Sequence, residues 1–239
     1  MRNNLLIVLN IDHEGPGILA ELLEEYSLGF ELCDLSKGDL IPDTRDYRAV
    51  VILGGPQSAN DTSPLILHEL QRIRETIDAG VPYLGICLGL QLLVAAKGGS
   101  IVPCRPKEIG FHEPDGSPFM VQLTSEGRQD GLFRGLPENL RVFQLHGETV
   151  IPGADMTLLA TGKGCKYQVL RIGTNAWGLQ CHFEMTGTMF ESWIGIDPDL
   201  KAMDRDGLLL EFNRIRDEYR ATGRTILLNF LGVTGLINS

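Results

Sequence analysis

Long apolar runs are missing from these 239 residues: nothing approaches the roughly 18 consecutive apolar residues that a membrane-spanning helix needs. The run Leu5-Leu6-Ile7-Val8-Leu9 behind Met1-Arg2-Asn3-Asn4 is too short for a secretory signal core, and no small-residue cleavage site follows it. Cysteine is sparse and unpatterned. Cys33, Cys87, Cys104, Cys165 and Cys181 are odd in number and form no C-x-x-C pair, which indicates neither a zinc site nor a disulfide framework. Free thiols point to a reducing, cytoplasmic setting. Positive charge is short as well. With 21 Lys and Arg against 31 Asp and Glu, the net charge of −10 disfavours nucleic acid and anionic membrane as partners. No linker rich in Gly, Ser or Pro, no repeat and no low-complexity stretch divides the chain. One domain over residues 1–239 is therefore expected, and a hydrophobic content of 43% suffices for its core.

What is present alternates. Leu5–Asn10 predicts a first strand, Ile18–Tyr26 a helix, Phe30–Asp34 a second strand and Arg48–Leu53 a third. Ser63 can cap the next helix, Pro64 suits its first turn, Gly80 follows its end, and Ile66, Leu70, Ile73 and Ile77 share one face. Strands alternating with helices imply a mostly parallel open sheet with helices on both faces. After Gly98 short strands predominate: Ser100–Val102, Phe119–Leu123, Leu140–Leu145, Thr157–Thr161, Tyr167–Ile172 and Ala176–Cys181. They predict extra antiparallel strands in the second half of an α/β fold. The C-terminal stretch predicts two helices. Leu208, Phe212, Ile215 and Tyr219 stripe the first, and Thr225–Leu231 forms a short second one after Gly223. A stripe of this kind is the ordinary sign of packing against a sheet, with a partner surface or a cover over a site as the alternative.

The stretch richest in information is Gly85-Ile86-Cys87-Leu88-Gly89. It follows the apolar run Val81–Leu84 and precedes the helix-like Leu90–Ala96, the strand-turn-helix setting of a nucleophile elbow with Cys in the reacting position. Such a turn lifts the side chain clear of the sheet and sets it at a helix N-terminus, where backbone N–H groups and the helix dipole favour a thiolate. The alternative is a buried cysteine between two structural glycines. Far downstream, the strand Ala176–Cys181 runs into His182-Phe183-Glu184. Alternation puts His182 and Glu184 on one side and Cys181 on the other. A histidine can deprotonate the thiol, and a carboxylate can hold the imidazole in the required tautomer. The order Cys, His, acid differs from the nucleophile, acid, His order of α/β-hydrolases and argues against that fold.

Here the sequence resembles the class I (triad) glutamine amidotransferases, closest to the glutaminase domain of GMP synthetase standing alone. Val50–Asp61, with Gly54-Gly55-Pro56, is similar to the family's oxyanion loop; Leu84–Gln91 matches its elbow; Lys107–Gly110 is similar to the segment after the elbow helix; Phe143–Glu148 resembles its S-H-G-D stretch. Two departures stand out. The usual F-H-P-E reads Cys181-His182-Phe183-Glu184, and the Ser of S-H-G is Leu145. The resemblance implies a Cys87-His182-Glu184 triad, an oxyanion site from the backbone N–H groups of Gly55 and Leu88, and contacts to the substrate from Gln91 and from the backbone around Gln144, Leu145 and His146. For His146 a structural role bonding a loop carbonyl stays equally open.

The implied reaction is hydrolysis of the glutamine side-chain amide through a γ-glutamyl thioester, releasing glutamate and ammonia for an unidentified acceptor. The substrate is a small molecule, the partner where one exists is a separate synthase subunit, and neither cofactor nor metal is called for. His13, His68 and His112 fall into no metal-ligand spacing. Hydrolysis of other γ-glutamyl peptides or amines uses the same chemistry, so that alternative stays open beside a non-catalytic regulatory relative.

Overall fold

The computed structural model describes residues 4–237; Met1–Asn3, part of the N-terminal stretch considered above, and the last two residues lie outside it. The first half runs β1 (Leu5–Leu9), α1 (Ile18–Glu25), β2 (Phe30–Asp34), β3 (Ala49–Ile52), α2 (Pro64–Asp78), β4 (Tyr83–Ile86) and α3 (Leu88–Ala96). The second half runs β5 (Ser100–Gly110), β6 (Met120–Leu123), α4 (Ser125–Gln129), β7 (Asn139–Arg141), β8 (Gln144–Ile151), β9 (Met156–Gly162), β10 (Val169–Ile172) and β11 (Ala176–Leu179). Three helices close the chain: α5 (Gly187–Ile196), α6 (Pro198–Lys201) and α7 (Arg205–Val233).

Nine strands form one mixed sheet in the order β2-β1-β3-β4-β11-β10-β9-β6-β7. From β2 to β11 neighbours are parallel; from β11 to β7 they are antiparallel, as the change of texture after Gly98 predicts. β5 and β8 pair separately as an antiparallel ribbon. The inner parallel strands β1, β3 and β4 are buried from end to end, and their near-continuous apolar runs follow from cover on both faces, whereas the edge strand β2 is exposed over residues 30–32. Ile18, Leu22, Ile226 and Phe230 pack on one face, and Ile66, Ile73, Leu90 and Leu93 on the other. The start of α2 is as predicted: the Ser63 side chain accepts from the Ile66 N–H at 3.3 Å, with Pro64 in the first turn. Although aromatics make up only 7% of the chain, six of them, Phe111, Phe143, Phe190, Trp193, Phe212 and Tyr219, gather in a third cluster.

Three expectations need correction. The strand expected at Ser100–Val102 continues to Gly110. The strand expected at Leu140–Leu145 is two, because at Val142–Phe143 the chain leaves the main sheet for the ribbon. The expected helix pair is a single 29-residue helix, α7. Gly223 does not break it but lets it approach the chain: a Cβ there would lie 2.0 Å from the Phe183 carbonyl oxygen.

Gly223→Ala should therefore destabilise the protein by about 1–3 kcal/mol in urea unfolding, because the added methyl meets backbone that cannot yield locally. Gly195→Ala in α5, where a Cβ meets nothing within 4 Å, should be neutral or stabilise by up to about 1 kcal/mol. Equal effects at the two positions would show that Gly223 is not a contact glycine.

Candidate active site

The site forms where two parallel strands end side by side. In the register of β4 and β11, Ile86 lies opposite Leu179, and the Cys87 N–H donates to the Leu179 carbonyl at 2.7 Å. Cys87 thus leaves one strand as Gln180, Cys181 and His182 leave the other, at the carboxyl edge where open α/β sheets bind ligands. Cys87 has φ of +51°, a left-handed conformation that a non-glycine residue adopts only when its surroundings enforce it. Those surroundings are glycines. A Cβ on Gly85 would lie 2.3 Å from the Gly89 carbonyl oxygen, and one on Gly89 would lie 2.2 Å from that of Ile52. The turn closes only because both positions lack a side chain, and α3 begins directly after it.

His182 is fully enclosed and firmly held. Its Nδ1 lies 2.7 Å from Glu184 Oε1. A carboxylate can only accept, so Nδ1 carries the proton and Nε2 is the nitrogen left for other contacts. Glu184 Oε2 accepts from the Phe183 N–H at 2.9 Å, the His182 N–H donates to the Phe143 carbonyl at 3.0 Å, and the Tyr219 hydroxyl donates to the His182 carbonyl at 2.9 Å. The Trp193 ring stands edge-on to the imidazole at 5.0 Å. Burial disfavours the imidazolium, but the Glu184 carboxylate and the Cys87 sulfur outweigh it and hold His182 well above its ordinary value near 6.5. The adjacent ends of β4 and β11 bring Cys87 and His182 to the same edge of the sheet. The sulfur also contacts the Leu145 carbonyl at 3.9 Å and receives the Gln180 amide at 3.7 Å.

A cleft of about 470 Å³ opens beside Cys87, walled by Gly55–Ser58, Gln91, Lys107, Leu145–Glu148 and Asp197–Asp199. The Gly55 N–H has no acceptor among the described residues, and Leu88, the first residue of α3, has none within its helix. Gln91 donates to the Glu148 carbonyl at 3.2 Å and to Gln180 Oε1 at 3.4 Å. Of the remaining residues singled out above, Leu145 and His146 line the cleft, whereas Gln144 is buried and does not. The His146 ring is enclosed, with Nδ1 3.0 Å from the Glu148 carbonyl and Nε2 3.0 Å from Glu108 Oε2.

The fold also assembles a group that sequence spacing does not show. Glu108, His146 and Cys165 bring their donor atoms within 4.8 Å of one another. The carboxylate of Glu108 is saturated by protein: besides His146 it accepts from the Cys165 N–H at 2.7 Å and from Gln168 at 2.9 Å. Hydrogen bonds thus account for this polar cluster, which ties β5, β8 and the 163–168 loop together. Cys181 is fully buried and burial pushes its thiol up, in keeping with a packing role. Gln180 is legible in the sequence as a neighbour of the site, since it lies two residues before His182 and so shares its face. Asp197 and Asp199 carried no signal in the sequence, because the turn between α5 and α6 alone brings them to the cleft.

The family model described as glutamine amidotransferase class-I matches residues 18–194. The glutamine amidotransferase-like protein YfeJ of Salmonella typhimurium is 29% identical over 195 residues, covering 78% of each chain. The glutamine-hydrolysing GMP synthase of Porphyromonas gingivalis is 28% identical over 182 residues, which cover 75% of this chain and 33% of that protein. The chain thus spans about a third of that longer relative. Among solved structures, a glutamine amidotransferase from Thermotoga maritima superposes with a TM-score of 0.84 at 28% identity, covering 97% of this chain and 99% of that one.

The His182–Glu184 pair makes a signed prediction. A histidine held above its unfolded value adds stability that is fully present below about pH 6.5 and is lost as pH rises through the folded value. The stability difference between wild type and Glu184→Gln should be largest near pH 6 and shrink toward alkaline pH, and the NMR midpoint of His182 should fall in the variant. An unmoved midpoint would show that Glu184 does not set it.

Proposed function

The chain belongs to the class I glutamine amidotransferase family and is an enzyme of the glutamine-amidohydrolase type; we propose that it hydrolyses the glutamine amide through Cys87, His182 and Glu184 by way of a γ-glutamyl thioester. The observation that carries this reading is the strained Cys87 at the start of α3, beside an imidazole whose Nδ1 is committed to Glu184. His182 Nε2 takes the thiol proton as sulfur attacks the amide carbon. The oxyanion that forms meets the N–H groups of Gly55 and Leu88, and one such donor contributes roughly 3–4 kcal/mol in enzymes of this kind. The proton then passes from His182 to the nitrogen, the C–N bond breaks, and ammonia departs. Water, deprotonated by His182, releases glutamate and restores the thiol.

Gln91, Leu145 and His146 are proposed to face the amino-acid head. The Gln91 amide nitrogen is occupied by Glu148 and Gln180, and its oxygen has no partner among the described residues, so it is placed to accept from the substrate ammonium. The Leu145 carbonyl stands beside the sulfur, which keeps a backbone contact available although the family's Ser is absent. The family's link to GMP synthases supports a separate synthase as the taker of ammonia; no helix among the described residues is long and apolar enough to cross a membrane.

Purified protein should release glutamate and ammonia from glutamine, and Cys87→Ser should lower kcat/KM by at least about a thousandfold. A glutamine chloromethyl ketone should label Cys87; a label on Cys104 or Cys181 instead would refute the assignment. Gln91→Ala should raise KM for glutamine by roughly tenfold or more, the scale of one lost polar contact. A panel of γ-glutamyl peptides and amines run beside glutamine checks the substrate, and faster turnover of one of them would displace glutamine.

A further inference from the structure

One carboxyl group at the site has no task in the reaction as written. The loop after β1 crosses the site and is fastened on both sides of Glu14. The Trp193 indole donates to the His13 carbonyl at 2.8 Å, and the Ile18 N–H donates to the Glu184 carbonyl at 2.7 Å. Gly17, with φ of +48°, allows the second contact, since a Cβ there would lie 2.0 Å from that same carbonyl oxygen. So tethered, the Glu14 side chain points back at the oxyanion loop. A Cβ on Gly54 would lie 2.1 Å from Glu14 Oε2 and 3.5 Å from the Cys87 Cβ. Carboxylate and nucleophile therefore flank the bare Cα of Gly54. Glu14 has no hydrogen-bond partner among the described residues. Burial raises its carboxyl, against the pull of His182 and with the push of Glu184. A half-enclosed carboxyl without a donor is unfavourable until something supplies one.

The position of Glu14 says what that donor is. Glu14 is absent from the walls of the cleft that holds Gln91 and Leu145–Glu148, where the amino-acid head is placed. Its loop is bonded to Trp193, whose ring stands against the His182 imidazole, and to the Glu184 backbone, and His182 is the group that hands a proton to the departing atom. We propose that Glu14 is the leaving-group residue: its carboxylate accepts a hydrogen bond from the scissile amide nitrogen and makes the site selective for γ-glutamyl amides over γ-glutamyl esters. The inference rests on the Cys87-His182 reading above. In the step it serves, the S–C bond forms, the C–N bond breaks, and the proton that completes ammonia comes from His182. Glu14 forms no covalent bond and yields no proton. An amide nitrogen offers N–H groups and gains positive charge as it is protonated, so a carboxylate stabilises it increasingly toward the transition state. An ester oxygen offers only lone pairs, and a carboxylate facing it repels.

The test compares kcat/KM for glutamine and for glutamate γ-methyl ester in wild type, Glu14→Gln and Glu14→Ala. The ratio of the two substrates within one preparation is independent of how much of a variant folds. Both variants should lower the amide-to-ester ratio by about 10- to 100-fold, the scale of one charged hydrogen bond. A ratio within twofold of wild type, whether both substrates slow together or neither does, would overturn the role of Glu14 while leaving Cys87 in place. Wild type that is labelled at Cys87 yet turns over neither substrate would overturn the glutamine reading itself, and this inference with it.

Discussion

Everything at this site depends on one backbone constraint, the left-handed turn at Cys87. The chain must leave β4, reverse within one residue and enter α3 with the sulfur outside the sheet. The conformation costs on the order of 1–3 kcal/mol and persists because the surroundings allow no other. Gly85 and Gly89 permit the turn to close, the Cys87 N–H is anchored on β11, and the start of α3 packs against the Ile52 backbone. The residues offered for oxyanion binding, Gly55 and Leu88, are neighbours of this turn rather than separate inventions. Gly55 lies in the loop just after β3, the strand that α3 leans on, and Leu88 is the first residue after the nucleophile.

The second constraint is the placement of β11. In sequence the strand lies some ninety residues beyond β4, yet in the sheet it is the parallel neighbour of β4. That insertion ends the parallel half of the sheet and begins the antiparallel half, so the topological change and the site coincide. It also explains why His182 needs so much support. Having left the last strand, the His182–Glu184 segment is held by Phe143 of the chain entering β8, by the Tyr219 hydroxyl from α7 and by Ile18 at the start of α1. The scarce aromatics are spent on the same task, with Phe143 and Trp193 packed around the imidazole. A histidine so enclosed keeps one ring orientation, and Glu184 keeps one tautomer.

The ribbon of β5 and β8 supplies the cleft wall, and its interior is polar. Glu108, His146, Cys165 and Gln168 form a hydrogen-bonded cluster beneath Leu145–Glu148, centred on the Glu108 carboxylate. Its bonds fix the inward orientation of the His146 ring, while the Gln168 side-chain oxygen is left without a partner among the described residues. His146 therefore presents its backbone to the cleft while its ring faces inward. The motif around His146 contributes to the site through its main chain, which is consistent with Leu145 standing in the family's Ser position.

The sequence by itself determined the α/β class, the elbow and the pairing of His182 with Glu184, because these depend on local signals: apolar runs, glycine spacing and strand alternation. Where an outcome depended on a contact distant in sequence, local signals failed. Gly223 reads as a break but is the point where α7 meets the Phe183 carbonyl. Leu140–Leu145 reads as one strand, but residues 142–143 carry the chain from one sheet to the other. Glu14 sits in a loop of ordinary appearance, and Gln144 lies within a family-like motif. Only tertiary structure decided that the first lies against Gly54 and the second is buried away from the cleft, since a side chain's environment is set by the neighbours that the fold delivers.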